Sequence, residues 1–388
     1  MLTDLATALA TGYEVHVVTS RLRYDDATAS LASRELIDGV DVHRVWTSGF
    51  GRGNLPGRAL DYLSFYVTAT LHLIQLARPA DVLVAMTDPP LISVPAQWAA
   101  RLRSARLVNW LQDIFPEIAA HLGIHLAHGL SGSLLRRLRD NSLRTAASNV
   151  VLGRLMRERV SALGVDPTKI AVIPNWADGA ALQPTPPGTN PLRAAWSLGD
   201  KFVVGYSGNL GRVHEFETLL GAAHALRTQT EIAFLIIGDG AQKAALMAAS
   251  VEQALPNLLW KPYQPRALLS QSLGVADVHI VTLRPELEGL VVPSKFYGIA
   301  AVGRPTICIG DPEGEIGAVV RAADCGCCVP EGDAAGLVAA IVRLRDDPLL
   351  RERMGRNARR IFEERYDKPI AAEQWRRLLH DVTEGPKR

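Results

Sequence analysis

Short apolar stretches, each followed by a polar loop and then a segment of helical period, recur along this chain and restrict its fold more than any other feature. A parallel strand can be followed by another only if the chain returns through a crossover, so the pattern predicts doubly wound α/β sheets. Strands are expected at 14–19, 40–46, 82–86, 107–111, 149–152 and 170–174, then at 202–207, 232–237, 258–260, 278–283 and 306–309. A proline- and glycine-rich stretch, 183–191, separates the two series and has the composition of an interdomain connection. A chain of 388 residues fits two domains better than one core. The expected division is 1–182 and 183–370, with a terminal amphipathic helix within 371–388.

The start of the chain breaks the pattern. It opens on a helix over 2–10 and reaches its first strand only at Glu14. A doubly wound domain normally begins with a central strand and a glycine-rich loop, so the first domain is expected to lack both. Either Met1 is an internal methionine, or the sheet truly lacks a strand. The first reading is preferred, because an open slot leaves backbone groups unpaired.

Apolar residues make up 48% and charged residues 21%, which excludes wholesale disorder. A net charge of +2 provides no global field for nucleic acid. The charge is uneven, however: 101–159 holds ten arginines against Asp113, Glu117, Asp140 and Glu158. These arginines form either solvated helix faces or a basic surface for anionic lipid headgroups. Tyr62 to Ala77 contains no Asp, Glu, Lys or Arg, and reads as a packed helix rather than one lying on a membrane. The stretch Cys325-Gly326-Cys327-Cys328 with Cys308 lacks zinc spacing, so reduced thiols in a cytoplasmic protein are expected. No run of 18 apolar residues suggests a membrane span.

The most informative string is 284–307, which carries Glu288, Gly289, Pro293-Ser294-Lys295 and Gly303. It leads from a strand end through a loop into a helix, which places it at the carboxyl edge of a parallel sheet, where such folds bind ligands. Ser294 and Lys295 at the helix start suit an anion. This string resembles the donor-sugar-nucleotide motif of family-4 retaining glycosyltransferases, closest to the bacterial branch that builds O-antigen, colanic acid and related polysaccharides. The resemblance implies a GT-B fold of two Rossmann-like domains facing a cleft, with the terminal helix packed on the first. It also implies a nucleoside-diphosphate sugar as donor substrate, a lipid-linked glycan acceptor, no metal and no cofactor. The protein would then be cytoplasmic or peripheral at the inner face of the plasma membrane.

In such a reaction negative charge builds on the departing diphosphate, and fixed cations stabilise it. Lys295 and Arg212 are the candidate cations. Arg212 lies in Ser207-Gly208-Asn209-Leu210-Gly211-Arg212, where Gly208 and Gly211 let the backbone approach a phosphate. Asn209 and His214 stand where many relatives carry arginine and lysine, so Arg212 is expected to substitute. Glu288 matches the first glutamate of the family motif. The second falls on Gly298, which leaves Glu313 or Glu315 as replacements. Gly238, Asp239 and Tyr263 match segments that flank the donor. In the first domain, Asn109 to Glu117 resembles the branch's acceptor-side motif, with Asp113 the candidate for orienting an acceptor hydroxyl. Gln112 stands where other relatives carry histidine.

Phosphate loops of nucleotide triphosphatases and dehydrogenases are absent, as is the hydrolase Gly-x-Ser-x-Gly elbow. Asp25-Asp26 and Asp346-Asp347 sit in polar segments and do not read as a strand-end metal clamp. Two other readings stay open: a GT-B sugar-nucleotide epimerase, and a non-catalytic degenerate GT-B partner protein.

Overall fold

The computed structural model describes residues 1–22, 31–50 and 55–384; Asp25 and Asp26 lie outside them. The chain divides into two compact units. Unit 1 comprises 1–152, 156–173 and 372–388, and unit 2 comprises 153–155 and 174–371.

Unit 2 holds a six-stranded parallel sheet of β8 (Phe202–Ser207), β9 (Ile232–Ile237), β10 (Leu258–Lys261), β11 (Val278–Thr282), β12 (Thr306–Ile309) and β13 (Gly326–Val329), in the order β10-β9-β8-β11-β12-β13. Every residue of β9 and β11 is buried, which explains the unbroken apolar sequence of β9, while β11 also buries the polar His279 and Thr282. The chain runs outward from β8 through β9 to β10, then returns to place β11 on the other side of β8. The sheet's switch point is therefore between β8 and β11.

Unit 1 carries two sheets. One has the order β1-β3-β2, from β1 (His16–Ser20), β2 (Arg34–Ile37) and β3 (Val40–Val45). The other runs β4-β5-β6-β7, from β4 (Val82–Met86), β5 (Arg106–Trp110), β6 (Ser148–Val151) and β7 (Ile170–Val172), all parallel. The terminal helix Lys368–Glu384 belongs largely to this unit. Its Trp375 meets Trp110 edge-on at 5.0 Å, and its Arg376 bonds the Ala8 carbonyl at 2.7 Å.

The break between units falls at 173/174, ahead of the proline-rich stretch. That stretch is strapped onto unit 2: Gln183 exchanges hydrogen bonds with Ser270, and the Asn190 amide bonds the Gln271 carbonyl at 2.7 Å. Arg304 donates to the Thr185 carbonyl at 2.6 Å. These bonds hold it as part of the unit rather than as a free connection.

Helix Leu55–Leu76 is neither wholly packed nor wholly exposed. Phe65 and Ala69 are buried, while Leu60, Leu63, Val67 and Leu71 face outward. No described helix is long and apolar enough to cross a membrane.

Candidate functional site

The parallel strands of unit 2 end together, so the loops after β8, β9, β11 and β12 share one sheet edge. Two glycines let these loops touch. Gly208 has φ +143°, and a Cβ there would lie 2.4 Å from Lys295 Cε. Gly238 has φ +148°, and a Cβ there would lie 2.0 Å from the Gly208 carbonyl oxygen. Gln242 pins the first loop by donating to the carbonyls of Gly211 at 2.7 Å and His214 at 3.0 Å.

Lys295 is at the start of helix Lys295–Ala301, beside the switch point. Its Nζ is 2.7 Å from His214 Nε2 and 4.9 Å from the centre of the Tyr206 ring. The proton positions follow from the partners. His214 Nδ1 is 2.6 Å from the Thr282 carbonyl, which can only accept, so Nδ1 carries the hydrogen and Nε2 accepts from Lys295. Burial, with Lys295 a second cause, pushes His214 down to about 3 and keeps the ring neutral. Burial also lowers Lys295 to about 7. Among its described contacts Lys295 meets a neutral ring and an aromatic face but no carboxylate. A charge withdrawn in part from water is favoured by a partner of opposite sign, so this arrangement suits an anion.

The other candidates divide into two groups. Arg212, Asn209 and Ser294 are exposed near this edge, and buried Gly289 turns the loop before the helix at φ +75°. Asp239 turns its carboxylate to Lys243 at 2.8 Å and to the Gly240 amide at 2.8 Å, and both hold it below the usual range. The Asp239 carbonyl takes the Leu210 amide, so this residue joins the two loops. Tyr263 is 54% exposed, with its hydroxyl 3.4 Å from that same carbonyl.

Glu288 is half-buried and accepts the Glu315 amide at 3.1 Å, at the start of helix Glu315–Ala322. The structure gives Glu315 a different employment from the expected replacement glutamate. Its carboxylate accepts the Leu155 amide at 3.1 Å and occupies the space beside Gly153. Gly298 faces Leu273 and Leu182, so a larger side chain there would meet the core. His214, read from sequence as a lost cation, is the acceptor that positions the remaining one. Tyr206 and Thr282 had no sequence signal, because their roles depend on contacts across the sheet.

Asp113 lies in unit 1, with Thr87 hydrogen-bonded to its carboxylate, and burial pushes it up to about 6. Glu117 forms a two-pronged ion pair with buried Arg139, at 2.7 and 2.9 Å, and is structural. Among the described residues, one cluster has metal-ligand proximity: His16, Asp41 and His43. Arg34 already occupies it, holding Asp41 through two guanidinium nitrogens at 2.6 and 2.9 Å.

Comparison with known proteins decides the family. A model described as a glycosyl transferase 4-like domain matches 1–176, and one for glycosyl transferases group 1 matches 190–361. The chain belongs to this glycosyltransferase family. The "probable glycosyltransferase WbjE" of Pseudomonas aeruginosa is 27% identical over 84% of this chain and 80% of its own. WcaI of Escherichia coli, described as a colanic acid biosynthesis glycosyl transferase, is 29% identical over 73% of this chain and 71% of its own. Sucrose-phosphate synthase from Thermosynechococcus elongatus superposes with a TM-score of 0.80 at 17% identity, covering 99% of this chain and 93% of its own. Anabaena HepE in complex with UDP-glucose gives 0.69 at 17%, covering 89% and 87%. These likenesses give the glycosyltransferase a GT-B fold, and its relatives place it in the polysaccharide-biosynthesis branch.

Glu288 provides a pH test. Burial, the largest cause, raises it from 4.5 to about 7, so the folded protein holds this proton more tightly than the unfolded chain. That stability is fully present below about pH 4.5 and is lost as pH rises through 7. Glu288→Gln keeps an acceptor for the Glu315 amide without the titrating proton. Its melting temperature should therefore fall less than wild type between pH 5 and 8. Parallel melting curves for the two proteins would refute the assignment.

Proposed function

We propose that this glycosyltransferase retains anomeric configuration while moving a sugar from a nucleoside diphosphate to a lipid-linked glycan. The observation that carries the donor is Lys295, a half-buried cation at the switch point whose partners among the described residues include no carboxylate. A sugar diphosphate supplies the missing negative charge, and HepE, of the same fold, is solved with UDP-glucose. As the sugar–phosphate bond breaks, Lys295 and exposed Arg212 stabilise charge gathering on the leaving diphosphate. Glu288 and the amides around Gly208 and Gly238 position the donor. Asp113 orients the acceptor hydroxyl. The proposal needs no metal, because these cations do its electrostatic work. Titrating the full chain with a panel of nucleoside diphosphates tests the donor site. One of them should bind wild type and lose at least about tenfold affinity in Lys295→Ala, a change of about 1.4 kcal/mol. Equal binding to both proteins would remove Lys295 from the site.

A lipid-linked acceptor calls for a membrane surface, and unit 1 has a face suited to one. Helix Ser93–Arg103 packs between helices Leu55–Leu76 and Gly129–Thr145. Outward from these three point Leu63, Leu71, Trp98, Leu102, Leu134 and Leu130, the last 92% exposed. Arg58, Arg101 and Arg137 are exposed on the same helices. Apolar side chains interspersed with arginine suit an anionic lipid surface, at the inner face of the plasma membrane. The combined variant Leu130→Ser, Leu134→Ser, Arg137→Glu should lose most binding to acidic vesicles in sedimentation. Neutral vesicles should bind wild type poorly, and unchanged binding of the variant to acidic vesicles would dismiss this face.

A further inference from the structure

The three-stranded sheet of unit 1 gathers polar side chains on one face. Side chains alternate along a strand, so Asp41 and His43 of β3 point the same way. Parallel pairing sets His16 of β1 opposite Asp41, and antiparallel pairing sets Arg34 of β2 opposite His43. The four therefore share that face. His43 is buried, and His16 and Asp41 are half-buried. Three atoms of metal-ligand type converge there. His16 Nδ1 and His43 Nε2 are 3.2 Å apart, and Asp41 Oδ2 is 3.3 Å from the first and 3.1 Å from the second. One hydrogen can bridge only two of these atoms, whereas a metal ion bonds all three. Ligands about 2.0–2.1 Å from a tetrahedral zinc ion lie about 3.3–3.4 Å from one another, so the triangle is close to the size such an ion requires.

The surroundings fit as well. His16 turns its other nitrogen, Nε2, to the Glu14 carboxylate at 3.1 Å, the outer contact that fixes the tautomer and orientation of a metal-binding imidazole. His72 of helix Leu55–Leu76 lies against His43, ring centres 4.9 Å apart, and burial lowers its pKa. A neutral ring there adds no charge to repel a cation. The face also holds a positive charge already: Arg34 gives Asp41 two guanidinium nitrogens, while its side chain is 69% exposed. Such an arm can swing into water and release the carboxylate.

We propose that His16, Asp41 and His43 bind a divalent transition-metal ion of the zinc class, with Arg34 leaving Asp41 as the ion enters and water filling the remaining position. Two imidazoles and a single carboxylate suit such an ion, while calcium and magnesium need more oxygen ligands. The ion ties β1 to β3 from one face of the sheet. None of the residues assigned to sugar transfer belongs to this cluster, so the ion acts on the stability of unit 1 and not on the reaction.

The test uses the full chain, freed of metal by a chelator that is then removed. Titrated with zinc, it should bind one equivalent and melt at a higher temperature, and magnesium should do neither. Cobalt(II) in place of zinc should give the visible absorption of a nitrogen- and oxygen-ligated site. His16→Ala and His43→Ala should each lose at least about tenfold in zinc affinity, and Glu14→Ala about tenfold. Arg34→Ala should bind zinc more tightly, because the competing cation is gone. Glu14 and Arg34 are exposed, so these two variants suffice if a histidine variant does not fold. Failure of zinc to bind, or equal affinity in wild type, Glu14→Ala and Arg34→Ala, overturns the proposal and leaves the cluster a hydrogen-bond network. A thiolate charge-transfer band in the cobalt spectrum also overturns it, by placing the ion on the cysteines.

Discussion

Lys295→Ala should lower sugar transfer by about 100-fold or more while leaving the melting temperature equal or higher. Removing a preorganised electrostatic donor to a developing anion costs about this much. Stability should not suffer, because the residue is a half-buried ammonium whose described partners are neutral His214 and the Tyr206 ring. The pH dependence makes the test sharper. Lys295 sits at about 7 in the free protein, so above that pH the diphosphate must draw a proton onto it. Donor affinity should therefore weaken with rising pH, at most about tenfold per unit. In Lys295→Ala this slope should vanish. A variant that transfers at near wild-type rates, or keeps the slope, would show that the ammonium is not the diphosphate's partner.

Gly238→Ala should damage both donor binding and stability. The added Cβ would lie 2.0 Å from the Gly208 carbonyl oxygen, backbone against backbone, with no flexible side chain to yield. The site also has φ +148°, a conformation that costs other residues about 1–3 kcal/mol. The loops after β8 and β9 would have to separate, moving the Gly208 turn away from Lys295. Gly332→Ala is the control. Gly332 has φ +83° but open space around it, so it should show the conformational cost without loss of donor affinity. Denaturant melts and donor titrations of the two variants separate the effects. Equal donor affinity in Gly238→Ala and wild type would contradict the proposed role of this contact.

Much of unit 2 was legible because its strands are continuous apolar runs closed by glycine turns, as at Phe202–Ser207 and Ile232–Ile237. Arg34–Ile37 escaped notice because it is a short, largely exposed antiparallel strand with polar residues among its four. Gly326–Val329 was hidden by its cysteines, which read as a cluster of thiols rather than as the strand paired with β12. In the candidate site, Lys295 and the glycines beside it carry local signatures, and the structure brings them to one sheet edge. The roles of His214 and Glu315 depend on distant groups. The first is set by the Thr282 carbonyl, and the second by an amide 160 positions earlier in the chain. Residue type and spacing alone do not report such partners.

The most direct test supplies the protein with labelled nucleoside-diphosphate sugars and a lipid-linked acceptor extract, in excess chelator, and follows the label and its anomeric configuration. The predicted result is one donor whose sugar appears on the lipid-linked product with its configuration retained, and no such product with Lys295→Ala. Label recovered only as an epimerised nucleotide sugar, or an inverted linkage, would contradict the account.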